Sequence, residues 1–368
     1  MRNSLKKIIY HDFVCKWYKV KSFRGGWMLT HLFLMDYKQK KASFLAIAKT
    51  HLKGWSYSDW SILGLTDVTC RSYLSTRDYC SLHPFNGPYS FWIDDKLTLK
   101  YILNGTDAGK YMPDYYFMLE DNGTVLPLMD ANIEYRDNGI DGIVHLLEAR
   151  KLLALKLVKG SLGAGFYKAE FDGTAYLLNG ERFTKRELIE RIKTLRGYLV
   201  TEYLLPHPEF AKFCDKSVGC LRYVIGRRQN GELQEVYSFM RFGTKKSKFV
   251  ENYNSGGVLT VVRNGEYKEG NVLDFKNNKN VVVKCHPDNG VEIKGRIPYW
   301  DEVVKAARIV ADTIPQMSYM GIDFCITNDD RVKIIEINSL TSLDSIQTDR
   351  SIFETPGGTF FKEKLNMQ

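Results

Sequence analysis

The segment MGIDFCITNDDRVKIIEINSLTS, residues 320–342, consists of two short apolar runs around a polar turn. This pattern predicts a β-hairpin with NDDR at its turn. Asp323 closes the first apolar stretch, and Glu336 and Asn338 are two residues apart in the second run, so the latter two share one face of a strand. Carboxylate and amide oxygens on neighbouring strands suit a divalent cation such as Mg²⁺. A solvent-facing edge hairpin also explains them, and the Asp329–Asp330 pair is assigned to ordinary turn chemistry.

Two lysines upstream occupy positions that call for an anion. Lys156 lies within the apolar run LLALKLV, which reads as a strand, and a lysine there is costly unless an anion pairs with it. The glycine-rich stretch Gly160–Gly165 follows, and its flexible backbone suits an approach to phosphate oxygens, although it is neither a Walker A loop nor a Rossmann fingerprint. Lys96 begins a predicted helix directly after two aspartates. A plain hairpin turn and a surface lysine remain the alternatives.

Further polar residues lie at predicted strand ends. Glu202 ends an apolar strand and Glu209 follows beyond a Pro-x-Pro turn, where a strand exit could bind adenine and a carboxylate could accept from ribose hydroxyls. Arg222 interrupts one strand and Arg241 closes another, and a guanidinium offers forked donors to phosphate or carboxylate. Asn252 precedes a Gly-Gly pair. Solvated side chains at sheet edges are the alternative for each of them.

Composition and charge restrict the class of protein. The 368 residues are 44% hydrophobic and 26% charged, which is usual for a soluble protein of two or three domains. Seven scattered cysteines without a C-x-x-C pair indicate reduced thiols, and the N-terminus lacks the apolar region of a secretory signal, so a cytoplasmic location is expected. No apolar run approaches the roughly 20 residues that a membrane span needs.

The basic residues are concentrated near the N-terminus. Residues 1–54 contain twelve Lys or Arg and two acidic residues, interleaved with aromatic side chains, whereas the net charge of the whole chain is +9. A nucleic-acid enzyme would spread its basic residues along a groove, so no nucleic-acid partner is expected. The segment instead suggests contact with an anionic surface, either inner-leaflet lipid or an acidic glycan. A helical lead-in that packs on the body of the protein, with solvated lysines, is the alternative.

Along the chain, the patterns predict an α+β protein. Residues 1–90 read as a mainly helical, basic and aromatic region. Residues 91–205 alternate helices and strands, including a capping box at the start of TKRELIERIKTLRG. Residues 206–368 are rich in strands and contain one clear amphipathic helix, WDEVVKAARIVADTI, before the hairpin. Helices beside mainly antiparallel strands indicate two α+β subdomains rather than one doubly wound sheet.

The order of these features resembles the ATP-grasp superfamily and, within it, the sugar-transfer-associated ATP-grasp proteins of cell-surface polysaccharide biosynthesis. The resemblance extends roughly from WSILGLTDVTCRSYLS to PGGTFF, and DDKLTLKYIL, CHPDNGVEIKGRIPYW and NYNSGGV carry the character of the subfamily. Asp323, Glu336 and Asn338 have the separations of the family's metal ligands. Leu157 stands where a proline often follows the strand lysine, and SLTSLD replaces a Pro-Gly pair that often follows Glu-x-Asn. The implied fold is an ATP-grasp fold, two α+β subdomains that clasp ATP.

The resemblance also implies roles for the residues. Asp323, Glu336 and Asn338 would hold Mg²⁺, and Arg222 and, less directly, Arg241 would face the transferred phosphoryl group. The residues implied in ATP binding are Lys96, Lys156, Gly160, Ser161, Gly163, Gly165, Glu202, Tyr203, Leu205, Glu209 and Asn252.

The reaction that the resemblance implies is ATP-dependent joining of a carboxylate and an amine through an acylphosphate. The partners would be ATP, a carboxylate-bearing sugar or glycan such as a uronic acid, and an amino acid or small amine. An amino acid activated and joined to an amino sugar is equally open. Phosphotransfer to a glycan hydroxyl, and a non-catalytic module that binds glycan or membrane, are the alternatives.

Overall fold

A computed structural model describes residues 2–39, 42–136, 138–160, 165–248 and 250–367. The helices are α1 (Arg2–Tyr18), α2 (Phe23–Gln39), α3 (Phe44–Leu52), α4 (Tyr57–Ile62), α5 (Thr76–Ser81), α6 (Ser90–Asp94), α7 (Lys96–Leu103), α8 (Ile133–Arg136), α9 (Gly139–Arg150), α10 (Lys185–Ile192), α11 (Pro208–Ala211), α12 (Trp300–Thr313) and α13 (Gly358–Lys364). The strands are β1 (Tyr115–Leu119), β2 (Val125–Pro127), β3 (Leu152–Leu157), β4 (Tyr167–Phe171), β5 (Tyr176–Leu178), β6 (Glu181–Phe183), β7 (Tyr198–Glu202), β8 (Cys220–Arg227), β9 (Leu233–Phe242), β10 (Val258–Arg263), β11 (Glu266–Lys268), β12 (Gly270–Asp274), β13 (Lys279–Val283), β14 (Lys294–Arg296), β15 (Tyr319–Ile326) and β16 (Val332–Asn338).

The first sheet has the strand order β2-β1-β7-β3-β4-β5-β6, with each described pair antiparallel. Its core is formed by apolar side chains of the strands and of α9 and α10, such as Phe117, Val144 and Leu188. The predicted strand–loop–strand around Lys156 is confirmed as β3 and β4. The predicted capping box is also confirmed: Thr184 accepts from the backbone of Glu187, which in turn accepts from the backbone of Thr184.

The second sheet has the strand order β13-β12-β10-β9-β8-β15-β16, and β11 and β14 extend it from β10. Strands β15 and β16 pair antiparallel and span the two apolar runs around NDDR, so the predicted hairpin is confirmed. Helix α12 packs on one face of this sheet: Val303, Ala307 and Val310 recur at helical spacing and are fully buried. These antiparallel sheets with flanking helices confirm the predicted α+β class.

The N-terminal helices cover the opposite face of the second sheet. Tyr79 and Trp55 share a buried cluster with Phe360 of α13. The side-chain amide of Asn86 brackets the first residue of β15, because it donates to the carbonyl of Tyr319 at 2.8 Å and accepts from its amide at 3.0 Å. The mainly helical character of this region is therefore confirmed. The exact domain boundaries, at about residues 90 and 205, stay a prediction.

Helix α7 joins the two sheets at the point where the hairpin lies. Its buried residues Leu99 and Leu103 share one apolar cluster with Tyr115 of the first sheet and with Ile322 and Ile337 of the second. Asp95 caps the helix by accepting from the amide of Thr98. The start of α7 is thereby fixed beside the hairpin.

Candidate active site

The hairpin places its three polar residues on one face. Asp323 of β15 lies directly opposite Glu336 of β16, and Gly321 lies opposite Asn338. Cross-strand partners point to the same side of a sheet, so all three oxygen-bearing side chains project together. A shift of register between Asp323 and Phe324 bends the strand just beyond the site.

Asp323 is almost completely buried, with an exposed fraction of 2%, and is held by two arginines from the neighbouring strands. Arg222 of β8 is its cross-strand partner and donates to both carboxylate oxygens, with Nη2 at 2.7 Å from Oδ2. Arg241 of β9 donates from Nη2 to the same Oδ2 at 2.8 Å. Burial alone would raise the pKa of Asp323, but the two guanidinium groups lower it to about 2. Asp323 and the two arginines therefore form an ionised cluster in which one carboxylate is shared by two guanidinium groups.

Glu336 connects the hairpin to α7 and to the loop after β3. Its Oε2 lies 3.2 Å from Nζ of Lys96, and its Oε1 accepts from the side-chain amide of Asn338 at 3.2 Å. Lys96 also donates to the carbonyl of Gly160 at 2.9 Å. Glu336 retains an exposed fraction of 31%, in contrast to the buried Asp323. One accessible site between the sheets is thus lined by Lys96, Glu336 and Asn338.

The side chain of Lys156, on β3, points toward the site lined by Lys96 and Glu336, whose charges act on it. Its Nζ lies 4.8 Å from the centre of the Tyr115 ring, and Nζ of Lys100 lies 5.4 Å from the same ring. Burial, together with the positive charge of Lys96, lowers the pKa of Lys156 to about 7. An anion beside this side chain would therefore favour its charged form.

The loop that follows the hairpin is tied to the start of α7. Asp94 accepts from the backbone amide of Ser339 at 2.8 Å and from its hydroxyl at 2.7 Å. The aspartates that precede Lys96 thus have structural roles, since Asp94 holds the SLTSLD segment and Asp95 caps the helix. Neither contact was predicted from the sequence.

The predicted nucleotide-base residues lie at the exit of β7. Glu202 accepts from Arg331 at 2.7 Å through Oε1 and from the amide of Asp114 at 3.2 Å through Oε2. The carbonyl of Leu205 accepts from the amide of Asn328 at 3.0 Å. The strand exit is thereby attached to the turn of the hairpin.

Other predicted residues around this exit have separate contacts. The ring of Tyr203 lies under Nζ of Lys168 at 5.6 Å. Glu209 accepts from the hydroxyl of Tyr267 at 2.9 Å and from Nζ of Lys212 at 2.6 Å. Its carboxylate is therefore engaged with the edge of the second sheet.

The glycine-rich loop is described only at its ends. Gly160 accepts from Lys96, and Gly165 has φ of +71°, where a Cβ would come within 2.8 Å of Leu157 and of the Tyr198 hydroxyl. The predicted residues Ser161 and Gly163 lie outside the described residues.

Asn252 serves the turn that leads into β10. Its side chain accepts from the amide of Asn254 at 3.0 Å, and its carbonyl accepts from the amide of Gly257 at 3.0 Å. These contacts are local to the turn, so Asn252 stays a predicted rather than an observed contributor to the site.

Sequence reasoning missed several partners of the site. Arg331 donates to Glu202 and also, from Nε, to Asp329 at 2.7 Å. One of the two turn aspartates assigned to plain turn chemistry therefore also holds the arginine that pairs with the predicted residue Glu202. Cys220 accepts from Arg241 at 2.7 Å. Lys100 pairs with Asp130 at 2.7 Å. Lys96 and Lys100 are four residues apart on one helix and therefore share a face. This spacing could have identified Lys100 as a neighbour of the site.

The donor chemistry of the hairpin fits a hard divalent cation. The candidate ligands are two carboxylates and one amide, from Asp323, Glu336 and Asn338. Among the residues that the structure describes, no group of three or more His, Cys, Asp and Glu side chains could hold a metal. Three of the roughly four lone-pair sites on Asp323 accept from arginines, which leaves one on Oδ1. Glu336 and Asn338 offer the more accessible oxygens, the ligands that Mg²⁺ prefers.

The protein has two antiparallel sheets with flanking helices, and lysines of one part face carboxylates of the other. This is the arrangement of a nucleotide-clasping protein of the ATP-grasp type. The chain belongs to the sugar-transfer associated ATP-grasp family, whose model matches residues 83–355. This assignment confirms the resemblance and the ATP-grasp fold.

Solved structures of ATP-grasp enzymes are similar to the chain at low identity. N5-carboxyaminoimidazole synthetase from Staphylococcus aureus, complexed with ADP, is 13% identical with a TM-score of 0.38, over 75% of this chain and 52% of that one. D-alanyl-alanine synthetase A from Vibrio cholerae is 13% identical with a TM-score of 0.42, over 77% of this chain and 66% of that one. The chain therefore spans about half to two thirds of these structures. No curated protein matches the chain by sequence.

Proposed function

We propose that the protein is an ATP-dependent carboxylate–amine ligase that forms an amide through an acylphosphate. Its substrate would be a cell-surface polysaccharide or a sugar precursor of one, for example a uronic acid joined to an amino acid or small amine. The observation that supports the proposal is the contact of Lys96 with both Glu336 and Gly160, since it joins the start of α7, the first residue of the glycine-rich stretch and the acidic hairpin.

In this reaction an oxygen of the substrate carboxylate attacks the γ-phosphorus of ATP, and the bond to the β-phosphate oxygen breaks to release ADP. The amine then attacks the carbonyl carbon of the acylphosphate, phosphate leaves, and the amine loses a proton to solvent. Lys96 and Lys156 would bind the phosphates of ATP and offset their charge. The exit of β7 near Glu202, Tyr203 and Leu205 would take the adenine.

The acidic hairpin and the arginines would act on the phosphoryl group. Glu336 and Asn338, with the remaining lone pair of Asp323, would hold Mg²⁺, which when bound supplies positive charge to the phosphate oxygens. Arg222 and Arg241 would stabilise the negative charge that develops during transfer, and their ion pairs with Asp323 fix where the guanidinium groups lie. No covalent nucleophile of the protein is required.

A release assay tests the proposal. The purified protein, ATP and Mg²⁺ would be incubated with uronic-acid sugars and nucleotide sugars against a panel of amines, with phosphate release and product mass measured. We expect phosphate only when a carboxylic acid and an amine are both present, together with an amide product. A phosphorylated product formed without amine would instead identify a phosphotransferase and would reject the ligase.

Lys156 gives a prediction about proton linkage. With a pKa of about 7, its side chain is largely neutral at pH 8.5 in the free protein, and the phosphates of bound ATP favour the ammonium. ATP binding at about pH 8.5 is therefore expected to take up close to one proton, and the uptake should disappear below about pH 6, where Lys156 is already charged. Calorimetry in buffers of different ionisation enthalpy measures this.

The matched variants are Lys156→Met and Lys193→Met, the latter an exposed lysine on the far side of the sheet beside Glu190. Proton uptake should vanish in the first and persist in the second. Uptake that persists in Lys156→Met would contradict the assignment of this lysine to the phosphates.

The proposed setting is the cytoplasm, with residues 1–54 in contact with an anionic surface, either inner-leaflet membrane or acidic glycan. The strong excess of basic residues in this segment supports such a contact.

A further inference from the structure

Helix α1 is attached to the rest of the protein by one of its faces. Val14 is buried in a small cluster with Leu29 of α2. The two helices approach closely at Gly26, where a Cβ would come within 2.2 Å of the Cys15 sulfur and 3.0 Å of the His11 ring. The ring of His11 also stacks on Trp27, with 4.6 Å between centroids. Residues 11, 14 and 15 therefore define the packed face of α1.

A second face of α1, which adjoins the packed one, is apolar and exposed. Ile9, Phe13 and Trp17 follow one another at intervals of four, so they form a stripe along the helix. Their exposed fractions are 62%, 53% and 58%. The rings of Phe13 and Trp17 stack with centroids 5.8 Å apart, so they present one continuous apolar surface. The helix thus carries apolar residues on its packed face and on an adjoining face that the described protein leaves uncovered.

Basic side chains lie beside this stripe and beyond its C-terminal end. Lys16 lies beside it on α1, and Lys19, Lys21 and Arg24 are exposed around the turn into α2. Phe23, at the start of α2, is 70% exposed within the same turn. Lys16 pairs with Asp12 at 2.9 Å, but both side chains are well exposed, so the pair contributes little. The apolar stripe thus has a positively charged border.

We infer that α1 lies in the headgroup region of an anionic membrane, with Ile9, Phe13 and Trp17 inserted and the surrounding basic residues on lipid phosphates. Apolar and aromatic side chains with a basic border are the features of an interfacial helix, and an indole is well suited to that depth. An aliphatic side chain such as Ile9 gains by leaving water for an apolar phase, which lipid provides and a hydrated glycan does not. None of the described helices is long and apolar enough to cross a bilayer. The inference rests on the proposed surface contact of residues 1–54 and is independent of the ligase reaction.

Co-sedimentation of the full chain with vesicles tests this inference. We expect binding to phosphatidylcholine vesicles that contain phosphatidylglycerol, and much weaker binding to phosphatidylcholine alone. The double variant Phe13→Ser/Trp17→Ser should weaken binding at least about tenfold, because two large apolar side chains lose their burial. The triple variant Lys16→Gln/Lys21→Gln/Arg24→Gln should weaken it about fivefold per charge, on anionic vesicles only.

Matched controls use residues elsewhere on the surface. Val68→Ser/Ile133→Ser removes apolar side chains that are more exposed than the stripe, and Lys276→Gln/Lys279→Gln/Lys284→Gln removes three exposed charges. Both should bind vesicles as the unaltered protein does. Tryptophan emission should shift to the blue on vesicles, and Trp17→Phe should abolish most of that shift while largely retaining binding.

The outcomes separate insertion from general surface contact. Binding that is lost in the charge variant but unchanged in Phe13→Ser/Trp17→Ser would overturn the insertion of α1 and leave only electrostatic contact. Retention on an acidic polysaccharide such as alginate, without vesicle binding, would overturn the membrane as the partner while keeping the surface contact. Equal binding of all variants and controls would reject both. Unchanged circular dichroism and unfolding midpoints show that each variant is folded.

Discussion

Asp323→Asn is expected to lower the free energy of unfolding by about 3–5 kcal/mol and to abolish ATP-dependent activity. Its carboxylate is the shared counter-charge of Arg222 and Arg241, both largely buried, and an amide cannot balance two guanidinium groups. Denaturant unfolding at neutral pH measures the change. The control Asp330→Asn alters an exposed aspartate of the same hairpin and should stay within about 0.5 kcal/mol.

The same substitution should change the acid limb of the stability profile. In the folded protein the pKa of Asp323 is lowered from 3.8 to about 2 by the two arginines, which outweigh the effect of burial. A lowered pKa stabilises the folded state fully above the ordinary value, and this contribution is lost as the pH falls from about 4 toward 2. Asp323→Asn should lack this part of the decline. A variant as stable as the unaltered protein, with the same acid limb, would contradict the role of Asp323 as the anchor of both arginines.

Glu336→Gln is expected to reduce kcat/KM by about a hundred- to a thousandfold with little loss of stability. Glu336 is partly exposed, and in its absence Lys96, whose side chain is 11% exposed, keeps its hydrogen bond to the carbonyl of Gly160. The substitution would, however, remove the most accessible carboxylate proposed for Mg²⁺. Steady-state kinetics and Mn²⁺ titration by electron paramagnetic resonance measure the two effects separately.

Glu148→Gln is the matched control for this variant. Glu148 has a similar exposure and also faces a lysine, Lys185 at 3.0 Å, but it lies on the outer side of the first sheet. It should retain activity and metal affinity. Normal activity and Mn²⁺ affinity in Glu336→Gln would remove Glu336 from the proposed site.

Local chemistry made much of the fold predictable from the sequence. The hairpin followed from two apolar runs around NDDR, and α10 followed from the reciprocal bonds of Thr184 and Glu187, which depend on residues only three apart. Lys156 was identified because a lysine in an apolar strand requires compensation. Each signal lies within a short window of sequence.

The partners of these residues could not be predicted in the same way, because they depend on strand order. Arg222 and Asp323 are 101 residues apart and meet only because β8 and β15 are neighbours in the sheet. Arg241 joins them because β9 lies next to β8. For arginines in strands, solvent exposure was the simpler expectation. It did not predict that Arg222 and Arg241 would share the buried carboxylate of Asp323. The bond from Asp94 to Ser339 likewise spans 245 residues.

The most direct test of the ligase follows an oxygen atom. A carboxylic acid that supports phosphate release would be labelled with ¹⁸O in both carboxylate oxygens and incubated with the protein, ATP, Mg²⁺ and the amine. Because the carboxylate attacks phosphorus and the phosphate later leaves from the carbonyl carbon, mass spectrometry should find one ¹⁸O in the released phosphate and one in the amide. Unlabelled phosphate accompanying the product, or a phosphate ester on a sugar hydroxyl, would contradict an acylphosphate and with it the proposed function.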